Sequence, residues 1–525
     1  MDVPDDHSPC AGSLPRVPAK LEGKVATAPP RPSRTQPVPV SELATTVDAH
    51  LTAPDRAHVL VSGVTLRAQH VRPGDLFAAL PGTRVHGADF AARAVEAGAV
   101  AVLTDAEGAA KVAGVPVLVH PEPRAVLGAL AARVYGTPSS KVAVWGVTGT
   151  SGKTTTTYMI ESALKAAGRA TGLIGTVETR IAGERLGSAL TTPEAPDLQA
   201  LLAVMHERGT TDVAMEVSSH ALRLGRVGGV GFAVGAFTNL SQDHLDFHPD
   251  MEDYFRTKAE LFDGRARVEV VCVDGEWGPR LVKPGTVTVA TTGDADWTAT
   301  GVAVTATGEQ SFTAHGPGGV SFDVELRLPG EFNVANALLA IGCLHARGVD
   351  HEAIRAGLRD VEVPGRMQRV DEGQDFTAVV DYSHKPAAVA LALDAVRARA
   401  TGRIITVLGC GGDRDTAKRP LMGEEAARRS DVLVVTDDNP RGEDPAEIRA
   451  AMLRGALGVP DAERGEVVEI GDRRLAIAHA VGEARAGDVV VVAGKGHETG
   501  QEVAGVVHPF SDVDTLADAI RGAAR

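Results

Sequence analysis

The sequence predicts an α/β protein of three units, each built around a mostly parallel sheet. Short apolar runs typical of buried strands alternate with helical stretches along most of the chain. A length of 525 residues corresponds to about three or four domains of ordinary size. Because only 4% of the residues are aromatic, we expect cores of small aliphatic side chains.

The chain opens with a segment rich in proline, serine and charged residues that extends to residue 37. It includes the run Ala28-Pro29-Pro30-Arg31-Pro32-Ser33 and has no apolar periodicity. Such a composition cannot bury enough apolar surface to offset the entropy lost on ordering. We therefore expect residues 1–37 to form a disordered tail.

A small α/β unit is predicted over residues 38–139. Its expected strands are His58–Leu66, Gly74–Gly82, Ala99–Thr104 and Val115–Val119, and its expected helices are Asp89–Ala97 and Pro123–Val134.

A second unit is predicted over residues 140–364, and a third, Rossmann-like unit over residues 365–525. Their expected strands are Val142–Val147, Thr210–Val217, Val234–Thr238, Thr377–Val380, Ile404–Leu408, Val432–Thr436 and Val489–Ala493. Alternating residues in Thr298–Leu328 predict an antiparallel hairpin region within the second unit. Since open parallel sheets bind ligands beyond the carboxyl ends of their strands, we expect the functional residues there.

The clearest motif is Gly149-Thr150-Ser151-Gly152-Lys153-Thr154-Thr155, which follows a strand and precedes the predicted helix Thr156–Ala167. Its glycines allow backbone N–H groups to approach phosphate oxygens, and the helix N-terminus adds positive potential. Lys153 supplies a charge for the outer phosphates, and the Thr154 hydroxyl is a ligand for Mg²⁺. The strict pattern has glycine where this chain has Val147, but strand, loop and helix together predict nucleotide binding.

A second glycine cluster, Gly409-Cys410-Gly411-Gly412, also follows a predicted strand. As a dinucleotide fingerprint it lacks the spaced third glycine, and it continues as Asp413-Arg414-Asp415. A guanidinium is suited to bidentate carboxylate binding, so Arg414 is better interpreted as a carboxylate ligand.

Candidate metal ligands follow the strands that are expected beside the phosphate loop. Glu216 ends one strand and is a candidate Mg²⁺ ligand, although an acidic residue here can also cap the next helix. His244 follows the next strand, and a lone histidine is as often structural as functional. Lys258 lies in the predicted helix Tyr254–Phe262 and by itself would be interpreted as a solvated lysine.

Charge and cysteine usage argue against several classes of protein. A formal charge of −15 makes a nucleic-acid partner unexpected. None of the four cysteines belongs to a C-x-x-C pair, so we expect free thiols in a reducing cytosol. No apolar run approaches about 18 residues, so no membrane span is expected, and the acidic start is unlike a signal peptide. A regulatory GTPase would need Asn-Lys-x-Asp, and no asparagine here is followed by lysine. We expect a cytoplasmic monomer.

Taken together, several motifs resemble those of the ATP-dependent Mur ligases in both order and spacing from about Val38 to the C-terminus. They are the phosphate loop, Thr191-Thr192-Pro193, Glu216–His220, Thr238–Asp246, Gly330–Asn333 with Asn336, Pro364-Gly365-Arg366, Asp381–His384, Asp437–Arg441 and Gly494–Glu498. The resemblance implies an N-terminal UDP-binding domain, a central ATP-binding ligase domain and a C-terminal domain that binds an amino acid.

The resemblance also implies a role for each matching residue. For ATP these are Gly149, Thr150, Ser151, Gly152, Lys153, Thr154, Thr155, Asn333, Asn336, Arg366 and Asp381. For the UDP-linked dipeptide they are Leu66, Ala68, Thr83, Arg84, Thr191, Thr192, Ser218 and Arg226. For the incoming diamino acid they are Arg414, Asp438, Asn439, Pro440, Arg441, Gly494 and Glu498. Lys153, Glu216, His244 and Lys258 would be catalytic, and Thr154, Glu216, His244 and Lys258, the last as a carbamate, would form the Mg²⁺ shell.

The implied reaction has two steps. The γ-phosphoryl group of ATP moves to the terminal carboxylate of a UDP-linked muramoyl dipeptide, and the amine of an amino acid then displaces phosphate. The branch of the family that adds 2,6-diaminopimelate matches best, and addition of L-lysine is the alternative. Branches that add D-glutamate, or glutamate to folate, should lack the Asp-Asn-Pro-Arg segment present at 438–441.

The sequence departs from the family at the uridine end. Many members have Asp-Ser-Arg after the first strand, and here the stretch is Leu66-Arg67-Ala68-Gln69. Ala68 therefore replaces a serine hydroxyl, and we expect Thr83 and Arg84 to compensate.

Overall fold

A computed structural model describes residues 29–523 apart from 83, 188–189, 246, 306–308 and 399. The predicted tail therefore lies mostly outside the described residues, and so do Cys10 and Thr83. The described part begins upstream of Val38, and Arg31 contacts the body of the protein through Asp75. The pair joins the last part of the predicted tail to a buried carboxylate of the first unit.

The first unit contains a five-stranded sheet and a separate two-stranded pair. Its strands are β1 (Val38–Pro39), β2 (His50–Leu51), β3 (Leu60–Val61), β4 (Gly63–Thr65), β5 (Asp75–Ala78), β6 (Ala101–Thr104) and β7 (Val117–Val119). Its helices are α1 (Val40–Thr46), α2 (Ala91–Glu96), α3 (Ala106–Ala109) and α4 (Pro123–Val134). The sheet order is β2-β7-β6-β5-β4, with only β2 antiparallel to its neighbour.

An eleven-stranded sheet forms the second unit. Its strands are β8 (Ala143–Thr148), β9 (Thr171–Ile174), β10 (Thr179–Ile181), β11 (Glu184–Leu186), β12 (Asp212–Glu216), β13 (Val234–Phe237), β14 (Glu269–Cys272), β15 (Val287–Ala290), β16 (Trp297–Val304), β17 (Gln310–His315) and β18 (Ser321–Leu326). Its helices are α5 (Lys153–Ala166), α6 (Ala195–Glu207), α7 (Ser219–Arg223), α8 (Met251–Ala259), α9 (Phe332–Ala346) and α10 (His351–Arg359).

The order of the eleven strands explains why the predicted ATP and metal residues come together. It is β11-β10-β9-β12-β8-β13-β14-β15-β16-β17-β18, parallel from β9 to β16. The strand before the phosphate loop, β8, lies between β12 and β13. Their carboxyl ends therefore meet at one edge. As expected, β16, β17 and β18 are antiparallel.

The third unit has a six-stranded sheet and a hairpin. Its strands are β19 (Gln368–Arg369), β20 (Thr377–Asp381), β21 (Ile404–Leu408), β22 (Val432–Val435), β23 (Glu466–Glu469), β24 (Val489–Ala493), β25 (Gly500–Val503) and β26 (Val506–Pro509). Its helices are α11 (Pro386–Arg397), α12 (Lys418–Arg429), α13 (Pro445–Gly458), α14 (Arg473–Glu483) and α15 (Asp512–Ala523). In the order β19-β20-β24-β21-β22-β23 only β19 is antiparallel, so the ends of β20, β24, β21 and β22 are adjacent.

Burial accounts for these layers. Apolar clusters cover both faces of the second sheet and both faces of the third, which explains why their central strands are almost continuous runs of Val, Ile and Ala. In the described residues no helix has the length and apolar character needed to cross a membrane. The α/β, mostly parallel architecture predicted from the sequence is confirmed.

Candidate active site

The phosphate loop connects β8 to α5 and requires glycine at two positions. Gly149 has a φ of 142°, and a Cβ there would lie 1.9 Å from the Thr238 hydroxyl. Gly152 has a φ of 86°, and a Cβ there would lie 2.3 Å from the Asn336 side chain. The loop is therefore both left-handed and closely packed, a geometry that exposes backbone N–H groups to an anion. The helix begins at Lys153, three residues before the predicted start.

A second loop, after β13, braces the phosphate loop. The Thr238 hydroxyl donates to the Ser151 carbonyl at 2.6 Å, and the Ser151 N–H donates to Asn239 Oδ1 at 3.0 Å. The Thr150 N–H donates to the Asn239 carbonyl at 2.9 Å. These bonds within the protein fix the conformation of the phosphate loop.

Two lysines, the half-buried Lys153 and the buried Lys258, converge on one carbonyl of the loop. Lys153 Nζ donates to the Gly149 and Thr150 carbonyls at 2.9 and 3.0 Å. Lys258 Nζ, from α8, donates to the same Gly149 carbonyl at 2.8 Å and lies 4.6 Å from the centre of the Tyr254 ring. Lys258 is only 1% exposed, so it is not the solvated lysine that its local sequence suggests. Burial lowers its pKa well below the usual value for lysine.

Oxygen atoms gather around Glu216 at the end of β12. The Thr154 hydroxyl donates to Glu216 Oε1 at 2.9 Å, and the Thr176 N–H donates to the same oxygen at 2.8 Å. The Thr176 hydroxyl donates to Glu216 Oε2 at 3.1 Å. Glu216 is 1% exposed. Thr176 was not identified from the sequence, since no motif marks it.

This oxygen set fits Mg²⁺, which prefers a few carboxylate and hydroxyl ligands and takes the rest from phosphate and water. No cluster of three or more His, Cys, Asp or Glu side chains suited to a metal occurs in the described residues. A metal here would therefore depend on Thr154, Glu216 and the nucleotide.

His244 lies on the loop after β13 and is 43% exposed at its side chain. Its φ is 53°, in the left-handed region. Its Nε2 lies 3.1 Å from Asp243 Oδ2, and its ring meets the His220 ring edge-on at 4.9 Å between centroids. The predicted metal-shell histidine thus has an acidic neighbour that the sequence interpretation passed over.

Two asparagines on the first turn of α9 lie beside the phosphate loop. Asn336 Nδ2 donates to Asn333 Oδ1 at 3.0 Å, and Asn333 Nδ2 donates to the Pro329 carbonyl at 2.7 Å. Both are buried. Their position against Gly152 is compatible with the nucleotide contact that the resemblance implies.

Arg366 links the third unit to the phosphate loop. Its guanidinium lies 4.2 Å from the centre of the Tyr382 ring and donates to the Thr154 hydroxyl at 3.4 Å. The other terminal nitrogen, Nη1, is buried and has no partner among the described residues. Asp381 accepts from the Met367 and Ser383 N–H groups, both at 2.8 Å, which fixes its carboxylate at the end of β20.

The residues predicted to hold the muramoyl dipeptide form one cluster behind Glu216. The Thr192 hydroxyl donates to the Glu216 carbonyl at 2.8 Å and accepts from the Ser218 N–H at 3.2 Å. The Thr191 hydroxyl lies 3.0 Å from that of Thr176. Arg226 pairs with Glu194 at 2.9 Å, a partner that the sequence did not indicate.

At the predicted uridine end, Ala68 is 6% exposed and belongs to the apolar core of the first unit. Leu66 is partly buried against the neighbouring core. Arg84 is exposed, and Thr83 lies outside the described residues.

A polar pocket lies at the carboxyl ends of β22 and β24, the two strands that flank β21. Asn439 Nδ2 donates to Glu498 Oε2 at 2.8 Å, and the fully buried Lys495 donates to the same oxygen at 2.8 Å and to Asn439 Oδ1 at 3.0 Å. Asp438 is buried beside Gly494, where a Cβ would lie 2.7 Å from Asp438 Oδ2. Lys495 was absent from the sequence-based candidates although it fixes two of them.

Arg441 has a φ of 51° directly after Pro440, and its Nη1 donates to the Gly412 carbonyl at 2.6 Å. Its Nε lies 3.4 Å from Glu502 Oε2. Glu443, two residues further along the chain, binds Arg419 and not Arg441.

Arg414 lines an open cleft of 560 Å³ between the second and third units, together with Gln242 and Leu245 of the second. The predicted carboxylate ligand is therefore exposed to the space between these two units.

A phosphate loop that is contacted by a guanidinium of a second α/β unit, with polar side chains at the strand ends of that unit, is typical of an enzyme that activates one substrate with a nucleotide and joins it to another. Profiles described as "Mur ligase family, catalytic domain", "Mur ligase middle domain" and "Mur ligase, glutamate ligase domain" match residues 60–135, 147–344 and 365–496. The chain belongs to the Mur ligase family.

Individual relatives agree with this assignment. The UDP-N-acetylmuramoyl-L-alanyl-D-glutamate–2,6-diaminopimelate ligase of Streptomyces coelicolor is 54% identical over 94% of this chain and 98% of its own. The ligase of the same name from Corynebacterium glutamicum is 55% identical over 85% and 89%. A solved structure of an enzyme of that name is 31% identical, with a TM-score of 0.66 over 93% of this chain and all of its own.

Proposed function

We propose that this chain is an ATP-dependent ligase that adds 2,6-diaminopimelate to the D-glutamate of UDP-N-acetylmuramoyl-L-alanyl-D-glutamate, a step of peptidoglycan precursor synthesis. One observation carries the proposal: Arg366 of the third unit donates to the Thr154 hydroxyl of the phosphate loop, so the unit that contains Asn439–Arg441 packs against the predicted nucleotide site. The names and the near-complete coverage of the relatives support the choice of substrates.

We propose for each unit the role that the family resemblance implies. Residues 38–139 would bind the UDP end, residues 140–364 ATP, and residues 365–525 the amino acid. We further propose that the enzyme acts on its small, polar substrates in the cytoplasm as a monomer, without membrane or nucleic-acid partners.

In the first step, an oxygen of the D-glutamate side-chain carboxylate attacks the γ-phosphorus of ATP. The bond to the β,γ-bridging oxygen breaks, ADP leaves with the electron pair, and an acyl phosphate forms. Lys153 and the loop N–H groups would neutralise the charge that spreads over the phosphoryl oxygens. A Mg²⁺ ion held by Thr154 and Glu216, with His244 and modified Lys258 nearby, would supply further neutralisation when bound.

Carbamylation of Lys258 is part of the proposal. Burial lowers the pKa of the Lys258 ammonium and so favours the neutral amine, which is the form that attacks CO₂. The product is an anion and would place carbamate oxygens beside Gly149 as ligands for Mg²⁺.

In the second step the amine of the diamino acid attacks the acyl carbon and phosphate leaves. The pocket must hold the distal ammonium and the distal carboxylate of diaminopimelate. Glu498 and Asp438 would pair with the distal ammonium, and Arg441 and Arg414 would pair with the distal carboxylate.

An assay of ADP formation with the UDP-dipeptide and a panel of amino acids tests the function. We expect turnover to require the UDP-dipeptide and to be fastest with meso-diaminopimelate. Equal turnover with L-lysine would favour the alternative ligation, and turnover without any UDP-dipeptide would exclude the whole proposal.

A further inference from the structure

Lys495 connects the two loops of the polar pocket. Its side chain is fully buried, and the Glu498 N–H donates to its carbonyl at 3.0 Å, so both residues belong to one turn. Lys495 Nζ donates to Glu498 Oε2 at 2.8 Å and to Asn439 Oδ1 at 3.0 Å. Asn439 Nδ2 donates to Glu498 Oε2 at 2.8 Å. The three side chains therefore form a closed triangle of hydrogen bonds.

The triangle determines which way the Asn439 amide points. Asn439 is 7% exposed, and its Oδ1 accepts from the Glu502 N–H at 2.9 Å as well as from Lys495. A rotated amide would place its NH₂ group against the Lys495 ammonium and its oxygen against the Glu498 carboxylate, and both contacts are repulsive. Asn439 is therefore held with its donor toward Glu498.

The triangle also divides the two oxygens of Glu498 between protein and ligand. Both hydrogen bonds to this carboxylate fall on Oε2, and in the part of the chain that the structure describes none reaches Oε1. The Glu498 side chain is 31% exposed, so part of it faces water. A carboxylate with one oxygen already bonded to an ammonium and an amide presents its other oxygen to an incoming cation.

Charge links Lys495 to Glu498 in both directions. A fully buried ammonium is stable only beside an anion, and Glu498 is the carboxylate to which Lys495 is bonded. In return, the ammonium holds a partly exposed side chain that would otherwise rotate into water. A ligand that binds a side chain already held in place loses no affinity to the ordering of that side chain.

We propose that Lys495 is a positioning residue for the incoming diamino acid. It holds Glu498 Oε2 and the Asn439 amide, and it thereby presents Glu498 Oε1 to the distal ammonium without itself contacting the substrate. The family resemblance implies roles for Gly494 and Glu498 in this segment and none for Lys495. The inference rests on the proposed function and adds a distinction to it. Lys495 acts on the ammonium that diaminopimelate and lysine share, whereas Arg441 acts on the carboxylate that lysine lacks.

Substitution of Lys495 by methionine, which is uncharged and of similar length, tests this distinction. We expect Lys495→Met to raise the KM for diaminopimelate about 30-fold, as for loss of one partner of a buried charge pair, and to change kcat and the KM for ATP less than about threefold. The kcat/KM for L-lysine should fall by the same factor, so that the preference for diaminopimelate is retained. Lys283→Met is the control, because it removes a lysine that lies 2.9 Å from Glu269 in the second unit, and it should match the wild type.

Hydroxylamine separates the pocket from the acyl-phosphate step. With ATP, Mg²⁺ and the UDP-dipeptide, its nitrogen bonds to the acyl carbon and loses a proton to water. Phosphate leaves with the electron pair of the broken C–O bond, and a hydroxamate forms. Because hydroxylamine has no distal ammonium, Lys495→Met should form hydroxamate at the wild-type rate, and this rate also shows that the variant is folded.

A double variant shows whether Lys495 acts through Glu498. Glu498→Gln removes the carboxylate and should itself raise the KM for diaminopimelate. Added to it, Lys495→Met should raise that KM less than about threefold further, because no carboxylate remains to be positioned. The double variant carries neither charge, so it also avoids a buried charge without a partner.

The outcomes separate the two proposals. If the wild type forms no hydroxamate from the UDP-dipeptide, the proposed function is wrong. If it does, any of four results overturns the role of Lys495. They are a wild-type KM for diaminopimelate in Lys495→Met, a fall in kcat/KM for diaminopimelate alone, loss of hydroxamate formation together with ligation, and effects of Lys495→Met and Glu498→Gln that multiply.

Discussion

At the residue scale, Arg441 shows how a backbone conformation aims a side chain. Its positive φ follows the rigid Pro440, and the Gly412 carbonyl fixes one end of the guanidinium. Glu502 occupies the Nε side. A ligand carboxylate would complete the set of partners of this guanidinium. This carboxylate is the group by which diaminopimelate differs from lysine.

Arg441→Ala is expected to raise the KM for diaminopimelate by about 30-fold or more, with little change in the KM for ATP. Loss of a buried, charge-assisted pair between Arg441 and the ligand carboxylate costs about 2–5 kcal/mol of binding free energy. Steady-state kinetics with each substrate varied in turn measure both constants. Unchanged kinetics for diaminopimelate, or wild-type ligation of lysine at equal efficiency, would contradict the role of Arg441.

Lys153→Ala and Lys258→Ala are both expected to abolish turnover, for different reasons. The first removes a charge from the ATP phosphates, and the second removes the proposed carbamate. Short-chain carboxylates such as formate or acetate should therefore restore part of the activity of Lys258→Ala and none of that of Lys153→Ala. Full activity of Lys258→Ala without additives would rule out a catalytic carbamate.

At the scale of elements, the sequence predicts most strands because each is a short apolar run between turn signals. Ile404–Leu408, Val489–Ala493 and Pro123–Val134 have the predicted bounds. Helix starts were harder to predict, since α5 begins within the phosphate loop itself. Strand order cannot be predicted from local sequence. The contacts of Glu216 with Thr176 and of Asn439 with Lys495 are therefore apparent only in the folded sheets.

A buried ion pair beneath the third sheet supports the polar pocket. Arg473, at the start of α14, binds both oxygens of Asp512 in α15 at 2.7 Å, and both side chains are fully buried. The same guanidinium donates to the Ala493 carbonyl at 2.9 Å and the Asp437 carbonyl at 3.4 Å. These carbonyls directly precede Gly494 and Asp438, so Arg473 connects the two pocket loops.

Arg473→Met should destabilise the protein by about 3–5 kcal/mol, because it leaves a buried carboxylate unpaired. The double variant Arg473→Met with Asp512→Leu should recover most of that stability, since both charges are gone. Its KM for diaminopimelate should nevertheless stay raised, because the two loop carbonyls have lost their donor. Thermal unfolding and kinetics of both variants decide this, and a double variant with wild-type KM would limit Arg473 to a structural role.

At the scale of the whole molecule, the cleft is assembled from contacts that cross between units. Arg366 reaches Thr154 and Lys385 reaches Asp243 from the third unit. The N-terminal segment also contacts two units. Arg31 binds Asp75 of the first unit, and the Ser33 N–H donates to Glu207 of α6 in the second unit at 2.9 Å. Sequence composition could not reveal these contacts, because each depends on one side chain meeting a distant partner.

The N-terminal segment is expected to stabilise the protein through Arg31. Asp75 is 2% exposed at its side chain, and Arg31 Nη1 donates to its oxygens at 2.6 and 2.7 Å. Deletion of residues 1–37 removes this guanidinium and leaves only the Arg72 N–H on the buried carboxylate. We therefore expect the deletion, and equally Arg31→Ala, to lower the free energy of unfolding by about 3–5 kcal/mol.

Deletion of residues 1–28 alone keeps Arg31 and should leave stability and ligation unchanged, because that stretch has no apolar periodicity. Lys111→Ala is the matched control, since it breaks an exposed pair with Asp89 in the same unit and should have little effect. Chemical denaturation of the four proteins beside the wild type compares them directly. If both deletions were equally stable, the Arg31–Asp75 pair would contribute nothing, and the segment up to residue 37 would be a dispensable tail throughout.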